Sequence, residues 1–493
     1  MTTVDGHIDV LIVGAGLSGI GAAYHVRQAF PDRSYVILEG RENLGGTWDL
    51  FRYPGIRSDS DMYTLGYRFR PWPGDKAIAD GDTILEYLRD TAAEHDIDRH
   101  IRYRHRVVRA EWSSADNRWT VRAERGDTGE TVTLTASFLF GCTGYYRYDQ
   151  GYTPEFAGVE CFGGPVIHPQ HWPDDLEVDG KRVVLIGSGA TAVTLGPALT
   201  EQGAHVTMLQ RSPSYVISMP AKDDLALRAR KVLPPKLAYG VARAKNVALA
   251  TAMYQLSQRY PERIRAQIRA WQRRWLPPGY DIDTHFTPRY NPWDQRLCLS
   301  PDGGFFRAIR KGRLEVVTDT IETFTETGLR LDSGATLEAD IVITATGLNL
   351  LAFGGMDLVV DGVPVEMSEH LAYKALMLSD VPNFAFVVGY TNASWTLKAD
   401  LVSEYVVRLL RHMDEHGYDR CVPVRDPSIG RASLFAGFMP GYVLRSAAIF
   451  PMQGDRAPWK LRMNYVRDLV TLRHGPIIDS AMRFERARVP AQR

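Results

Sequence analysis

Short apolar runs that break off at glycines, each followed by a helix-forming stretch, occur twice in the chain. Residues 8–13 are apolar and stop at Gly14-Ala15-Gly16-Leu17-Ser18-Gly19, after which residues 20–30 carry helix formers. That order predicts strand, tight turn and helix. A second apolar strand, 34–38, ends at Glu39, twenty residues beyond Gly19. The whole reads as a dinucleotide-binding βαβ unit. The same succession returns as a strand over 182–186, the turn Gly187-Ser188-Gly189-Ala190-Thr191-Ala192, a helix over 193–201 and a strand over 205–209.

Between the two units, residues 107–112, 119–124 and 131–135 alternate apolar and polar as an antiparallel meander does, with turns at Asp116-Asn117 and 126–129. A strand over 138–142 then ends in Thr143-Gly144, and a matching strand over 340–345 ends in Thr346-Gly347. These mark the points where the chain crosses between domains. A strand over 384–388 and a helix over 398–413 follow the second crossing and complete the first sheet. The expected fold class is α/β, with two Rossmann-like domains, the second inserted in a discontinuous first, plus a helical subdomain. The first domain is expected at 1–145 and 346–425 and the inserted one at 146–221 and 289–345. The helical subdomain is expected at 222–288 and a C-terminal extension without legible chemistry at 426–493.

A length of 493 residues suits this division, at roughly 150 residues per domain. Lys plus Arg and Asp plus Glu both total 58, so no global field draws the chain to nucleic acid, and none is expected as a partner. One segment departs from that balance. Residues 222–275 hold 13 Lys or Arg against three Asp or Glu. They read as a solvated basic helical subdomain or, more sharply, as a surface for peripheral binding to anionic lipid. The amino terminus shows no signal peptide, and no apolar run reaches the 18 residues of a spanning helix. Cys142, Cys161, Cys298 and Cys421 are isolated, which fits a reducing cytosol; the chain is expected to be cytoplasmic, with or without membrane association.

The turns carry the chemistry. Gly14 permits the bend, Gly16 lets the backbone approach a pyrophosphate, and Gly19 lets helix and strand pack closely. Glu39 would accept hydrogen bonds from an adenosine ribose and repel a 2′-phosphate, favouring FAD or NAD. In the second unit the corresponding strand is followed by Gln210-Arg211-Ser212, where a cation and a hydroxyl suit the 2′-phosphate of NADP. One site for each implies hydride transfer from nicotinamide to flavin. A disulfide acceptor would need paired cysteines, so oxygen is the expected electron acceptor. No metal site is expected, since no His pair is read at metal-binding helical spacing.

Two further motifs identify a family. Gly45-Gly46-Thr47-Trp48, then four residues, Tyr53-Pro54-Gly55, three residues and Asp59 follow (A/G)GxWxxxx(F/Y)P(G/M)xxxD. Phe162, Gly164, His168, Trp172 and Pro173 fill FxGxxxHxxxW(P/D) at every fixed position. With them the chain resembles the class B flavoprotein monooxygenases and, within these, the type I Baeyer–Villiger enzymes. Residues 52–71, 185–213, 290–299 and 390–404 resemble the mycobacterial members in particular, and the likeness runs from residue 8 to about residue 473.

The resemblance implies that NADPH reduces FAD, that oxygen adds to give a flavin peroxide, and that this attacks a ketone, a sulfide or a thioamide. It implies Arg296 as the cation that stabilises the developing negative charge, oriented by Asp59. Gln295 stands where many relatives carry lysine. On the FAD side it implies Ser18, Gly46, Thr47, Trp48, Asp49, Leu50, Asp59 and Val107 beside Gly14, Gly16, Gly19 and Glu39. On the NADP side it implies Arg57, Ser58, Gly187, Ser188, Gly189, Ala190, Thr191, Ala192, Val193, Arg211 and Ser212. Residues 390–397 are expected to open a helix whose amino end faces the flavin. His168 reads as a buried residue coupling the domains in preference to a general base. Two alternatives stand beside this reading: an oxygenase restricted to nitrogen and sulfur, which Trp172 and Arg296 disfavour, and an uncoupled NADPH oxidase or redox sensor.

Overall fold

The computed structural model describes residues 6–295, 297–438 and 440–486. The first sheet has a parallel core in which His7–Val13 lies between Tyr35–Leu38 and the end of Thr131–Gly141, Val10 facing Tyr35 on one side and Phe138 on the other. Ile101–Arg102 extends it beyond Tyr35–Leu38, and Phe384–Phe386 pairs with the far side of Thr131–Gly141. Val10, Leu11 and Ile12 are wholly buried, as a parallel sheet covered on both faces requires.

The meander forms His105–Ser113, Arg118–Arg125 and Thr131–Gly141, all antiparallel. Trp112 and Trp119 face each other across it with ring centroids 5.7 Å apart. A bulge between Val107 and Arg109 shifts the register beside the first unit.

The second sheet is wholly parallel, in the order Leu314–Thr318, His205–Gln210, Arg182–Ile186, Ile341–Thr344, Val166–Ile167. The chain enters it after Thr143-Gly144 and leaves it through Thr346-Gly347, so the second unit is inserted in the first. Phe384–Phe386 and the long helix Trp395–His416 then return to the first sheet, the helix packing on Leu17–Ala29.

Two helices begin earlier than their apolar patterns suggest, at Leu17 and Ala190 in place of 20 and 193, and the late helix begins at Trp395, within the 390–397 stretch expected to open it. The glycine turns themselves form the first helical turn, because it is their N–H groups that must point outward. The basic segment is helical, as Asp224–Val232, Pro235–Arg259 and Pro261–Trp275. Proline at the first position of the latter two costs no hydrogen bond there. Among the described residues no helix is long and apolar enough to cross a membrane.

The C-terminal stretch has a structural part that its sequence does not announce. Met482–Glu485 pairs with Arg420–Pro423. The Asp468 carboxylate accepts from Lys398 at 2.8 Å and from the Tyr390 hydroxyl at 2.7 Å, holding the start of the late helix. Lys398 is 2 % exposed, a burial that only such pairing makes tolerable.

Candidate functional site

Both glycine turns open onto one continuous cleft of about 1550 Å³. Single small-ligand pockets span about 300–1,000 Å³, so this volume suits two large ligands better than one. Gly14 has φ +100°, and a Cβ there would lie 2.7 Å from the Cys142 carbonyl oxygen. A Cβ on Gly19 would meet the Gly14 carbonyl oxygen at 1.9 Å. At Gly16 the nearest atom to a Cβ is Gly46 Cα at 3.6 Å, which leaves the backbone free to face the cleft.

Glu39 lies at the end of Tyr35–Leu38, buried. Its carboxylate accepts from the Ala15 N–H at 2.7 Å and from the Arg41 N–H at 2.9 Å. Burial raises its pKa, and those two N–H groups and the Arg41 charge oppose the rise. The acid thus stabilises the turn and lines the cleft at once.

The second turn repeats the device. Gly187 has φ +132°, and a Cβ there would approach the Ala345 carbonyl oxygen to 2.3 Å. Nothing lies within 4 Å of a Cβ on Gly189. Ser188 Oγ donates to the Ser212 carbonyl at 3.0 Å and lies 2.9 Å from Ser214 Oγ. Arg211 and Ser212 are exposed at the cleft wall.

The first family motif bridges the two turns. Gly45 and Gly46, at φ +119° and +56°, lead into the short helix Thr47–Leu50, and Thr47 bonds Tyr148, whose hydroxyl burial pushes up to about 12. Tyr53 bonds Thr191 of the second turn, and its pKa is raised by burial. Arg57 donates to the Leu299 carbonyl and so ties the motif to the strand after Gln295. Burial lowers the Arg57 pKa, with the Asp59 charge opposing. Gln295 lines the cleft; Arg296 lies outside the described residues.

Gly14, Gly16, Ser18, Glu39, Gly46, Thr47, Trp48, Arg57, Ser58, Asp59, Val107, Gly187, Ser188, Gly189, Ala190, Thr191, Arg211 and Ser212 all line the cleft. Five other expected site residues fall behind it. Gly19, Ala192 and Val193 serve packing beneath the turns, and Leu50 packs toward the second core. Asp49 is 1 % exposed and pairs with Arg41 at 2.9 Å and Arg52 at 3.4 Å. It anchors Arg41, which lines the cleft and lies over the Tyr148 ring, 5.6 Å from its centroid.

In the second family motif, a Cβ on Gly164 would sit 2.3 Å from the Asp340 carbonyl oxygen, and one on Gly151 would overlap the His168 ring at 2.0 Å. His168 Nδ1 accepts from the Gln170 N–H at 3.2 Å, which leaves Nε2–H to donate to the Gly347 carbonyl at 3.0 Å. With Nδ1 engaged within its own turn and Nε2 tied to the second crossing at Gly347, and its pKa lowered by burial, His168 is a coupling residue outside the cleft wall.

The sequence places 390–397 at the flavin, but not that its Tyr390 and Trp395 join Tyr145, Tyr148 and Tyr442 in one aromatic wall with Arg445 beside them. Trp395 Nε1 donates to Ser18 Oγ at 2.8 Å, tying the late helix to the first turn. A Cβ on Gly389 would collide with the Trp395 ring at 2.4 Å. The aromatic run after Thr143-Gly144 was the legible signal. The reading that no His pair has metal spacing also needs correction: His412 and His416 stand at i and i+4 on the late helix, with Glu415 beside them.

Comparison with known proteins agrees with this geometry. The profile described as "Flavin-binding monooxygenase-like" matches residues 70–239, and "NAD(P)-binding Rossmann-like domain" matches 12–70. A steroid monooxygenase solved in oxidised form with NADP shares the fold at TM-score 0.76 and 22 % identity, over 97 % of this chain and all of its own. A closed cyclohexanone monooxygenase does so at TM-score 0.68 and 19 % identity, over 86 % and 87 %. FAD-containing monooxygenase EthA of Mycobacterium tuberculosis is 58 % identical over 98 % of this chain and 99 % of its own length. At that identity along nearly the whole of both chains, this protein belongs to the family of FAD-containing monooxygenases.

Proposed function

We propose that the chain carries out NADPH- and O2-dependent oxygenation of small molecules, inserting oxygen beside ketone carbonyls to give esters or lactones and adding it to sulfides and thioamides. The observation that carries this is the single cleft shared by two dinucleotide turns whose second strands end in residues of opposite charge, Glu39 and Arg211. FAD and NADPH, when bound, supply the two-electron redox chemistry and oxygen supplies the transferred atom.

The residues fit both groups. Gly16 and Gly189 leave the backbone open to diphosphates, each at the amino end of a helix. Glu39 suits a free ribose diol and Arg211 with Ser212 a ribose 2′-phosphate. Arg57 and Asp59 line the cleft as interacting charges, and the aromatic wall gives that cleft an apolar lining suited to limiting water at the reacting atoms. Arg296 we assign as the cation for the developing oxyanion, by its place in the sequence after Gln295. Arg296→Ala should keep FAD and its reduction by NADPH and lose product; full product formation by this variant would remove Arg296 from the mechanism. A simple ketone such as phenylacetone should yield its ester, and sulfoxidation without any ester would favour the heteroatom-restricted reading.

A second reading concerns where the enzyme works, and one observation favours it. On Pro235–Arg259 the side chains of Leu237, Val241, Leu249, Met253 and Leu256 are 42–54 % exposed. Of the two charges inside that stretch, Arg243 turns inward to the Tyr63 and Gly66 carbonyls, and Lys245, 35 % exposed, is paired with Asp223. Arg228, Lys231, Lys236, Arg259 and Arg263 are exposed at its ends. An apolar stripe with a basic rim is the pattern of a helix lying in an anionic lipid surface. Flotation with phosphatidylglycerol vesicles, lost in Leu249→Glu, would support this. A concentration-dependent dimer that the same substitution dissolves, with no flotation, would overturn it.

A further inference from the structure

The helix Trp395–His416 ends in His412-Met413-Asp414-Glu415-His416. Residues four apart share a helix face one turn apart, so the two imidazoles stand over one another. Their ring centroids are 4.2 Å apart, and one ligand atom from each of His412, Glu415 and His416 lies within 4.8 Å of the others.

Two details orient these groups. His416 Nδ1 lies 2.9 Å from the His412 carbonyl, which can only accept, so Nδ1 carries the proton and the Nε2 lone pair is left for a ligand. His412 Nε2 is shielded from solvent and has no hydrogen-bond partner. A buried imidazole nitrogen left without a donor is a group that a cation would satisfy. Neighbouring rings hold both imidazoles in place: Tyr418 stacks on His416 at 5.7 Å and Phe484 meets the His412 ring edge-on at 4.9 Å. The site lies in the last turn of the helix, where the dipole is negative; the Met413, Asp414 and His416 carbonyls there are themselves bonded, to the Tyr418 and Gly417 N–H groups and to Arg486.

We propose that His412, Glu415 and His416 form a binding site for a divalent cation of the borderline class, such as Zn2+, at the end of the late helix. Two imidazole nitrogens and one carboxylate oxygen are a normal zinc donor set, with water completing the coordination. None of the three lines the cleft, so the site is independent of oxygenation. Its effect is to hold the last turn of the helix, since all three ligands belong to it.

The test uses tag-free, FAD-loaded full-length protein stripped with EDTA. Titration with Co2+, read by its ligand-field absorption, and competition by Zn2+, read by calorimetry, should show one equivalent bound. His416→Gln and His412→Gln should each weaken binding by about tenfold or more, the scale on which metal-site partners act. Glu415→Gln should weaken it less, and flavin content and NADPH oxidation should be unchanged in all three. No binding at one equivalent, or equal affinity in wild type and His416→Gln, would overturn the proposal. Retained flavin in the variant rules out loss of fold as the cause of a negative result.

Discussion

The two dinucleotide turns are the same backbone device closed to different degrees. In both, the first glycine has positive φ and lies under a carbonyl of the returning strand, that of Cys142 for Gly14 and that of Ala345 for Gly187. They part at the third position: Gly19 has no room for a methyl, whereas Ala192 fits, fully buried. They part again at the discriminating residue, for Glu39 is buried and bound to two backbone N–H groups while Arg211 is exposed. A closed, pre-bonded first site suits a resident flavin, and an open, charged second site suits a nucleotide that comes and goes.

The sharpest break in this comparison is an exchange of the third residues. Gly19→Ala forces a methyl against backbone, so the variant should purify largely without flavin and lose about 1–3 kcal/mol of stability. Ala192→Gly should cost only about 1 kcal/mol, the usual helix penalty, and keep NADPH turnover. Flavin absorbance per protein and thermal melts decide between them. Equal flavin content in the two variants would mean that the first turn is no tighter than the second.

Next in size is Arg211→Ala. A charge-assisted hydrogen bond carries about 1.5–3 kcal/mol, reduced by exposure, so KM for NADPH should rise about tenfold. KM for NADH should hardly move. The wild-type preference for NADPH should also fade as salt rises, because the exposed charge is screened.

Most of this was legible in the sequence because both turns are local. Gly14 to Glu39 and Gly187 to Arg211 each lie in one βαβ segment, so spacing alone carries their geometry. What the sequence hid is what the chain brings together from afar. Asp49 looks like part of a flavin motif, yet its Arg41 and Arg52 partners hold it behind the wall. Trp395 reaches Ser18 across 377 positions, and Asp468 reaches Lys398 across 70. No periodicity records such pairs. The His412–His416 spacing is legible, but an apolar pattern that stops at 413 leaves His416 off the helix, which in fact runs on to it.

An effect on stability with little effect on activity separates the coupling residue from the sites it joins. His168→Ala should lower stability by about 1–3 kcal/mol through the unsatisfied Gly347 carbonyl and Gln170 N–H, with KM for NADPH little changed. Burial holds the folded-state pKa of His168 below the ordinary 6.5. As pH falls through that ordinary value the unfolded chain takes up a proton that the folded one does not, so stability declines below it down to the folded pKa. The alanine variant should lose that part of the decline in pH-dependent melts.

The smallest effect belongs to the Arg182–Asp340 pair at 2.7 Å, which ties the start of its strand to its neighbour. Its Asp340 pKa is lowered to about 2, chiefly by the Arg182 hydrogen bond. The pair's stability should be present above the ordinary carboxylate range and vanish as pH falls toward 2. Because the pair is exposed, Asp340→Asn should cost less than about 1 kcal/mol at neutral pH in a denaturant titration.

The central claim, that the two sites serve one oxygenation, is tested most directly by following the oxygen atom. FAD-loaded protein should consume NADPH in 18O2 and place one labelled oxygen in the ester formed from phenylacetone, with turnover matching NADPH. Hydrogen peroxide formed one-for-one with NADPH, with no labelled product from that ketone or from a thioether, would contradict it.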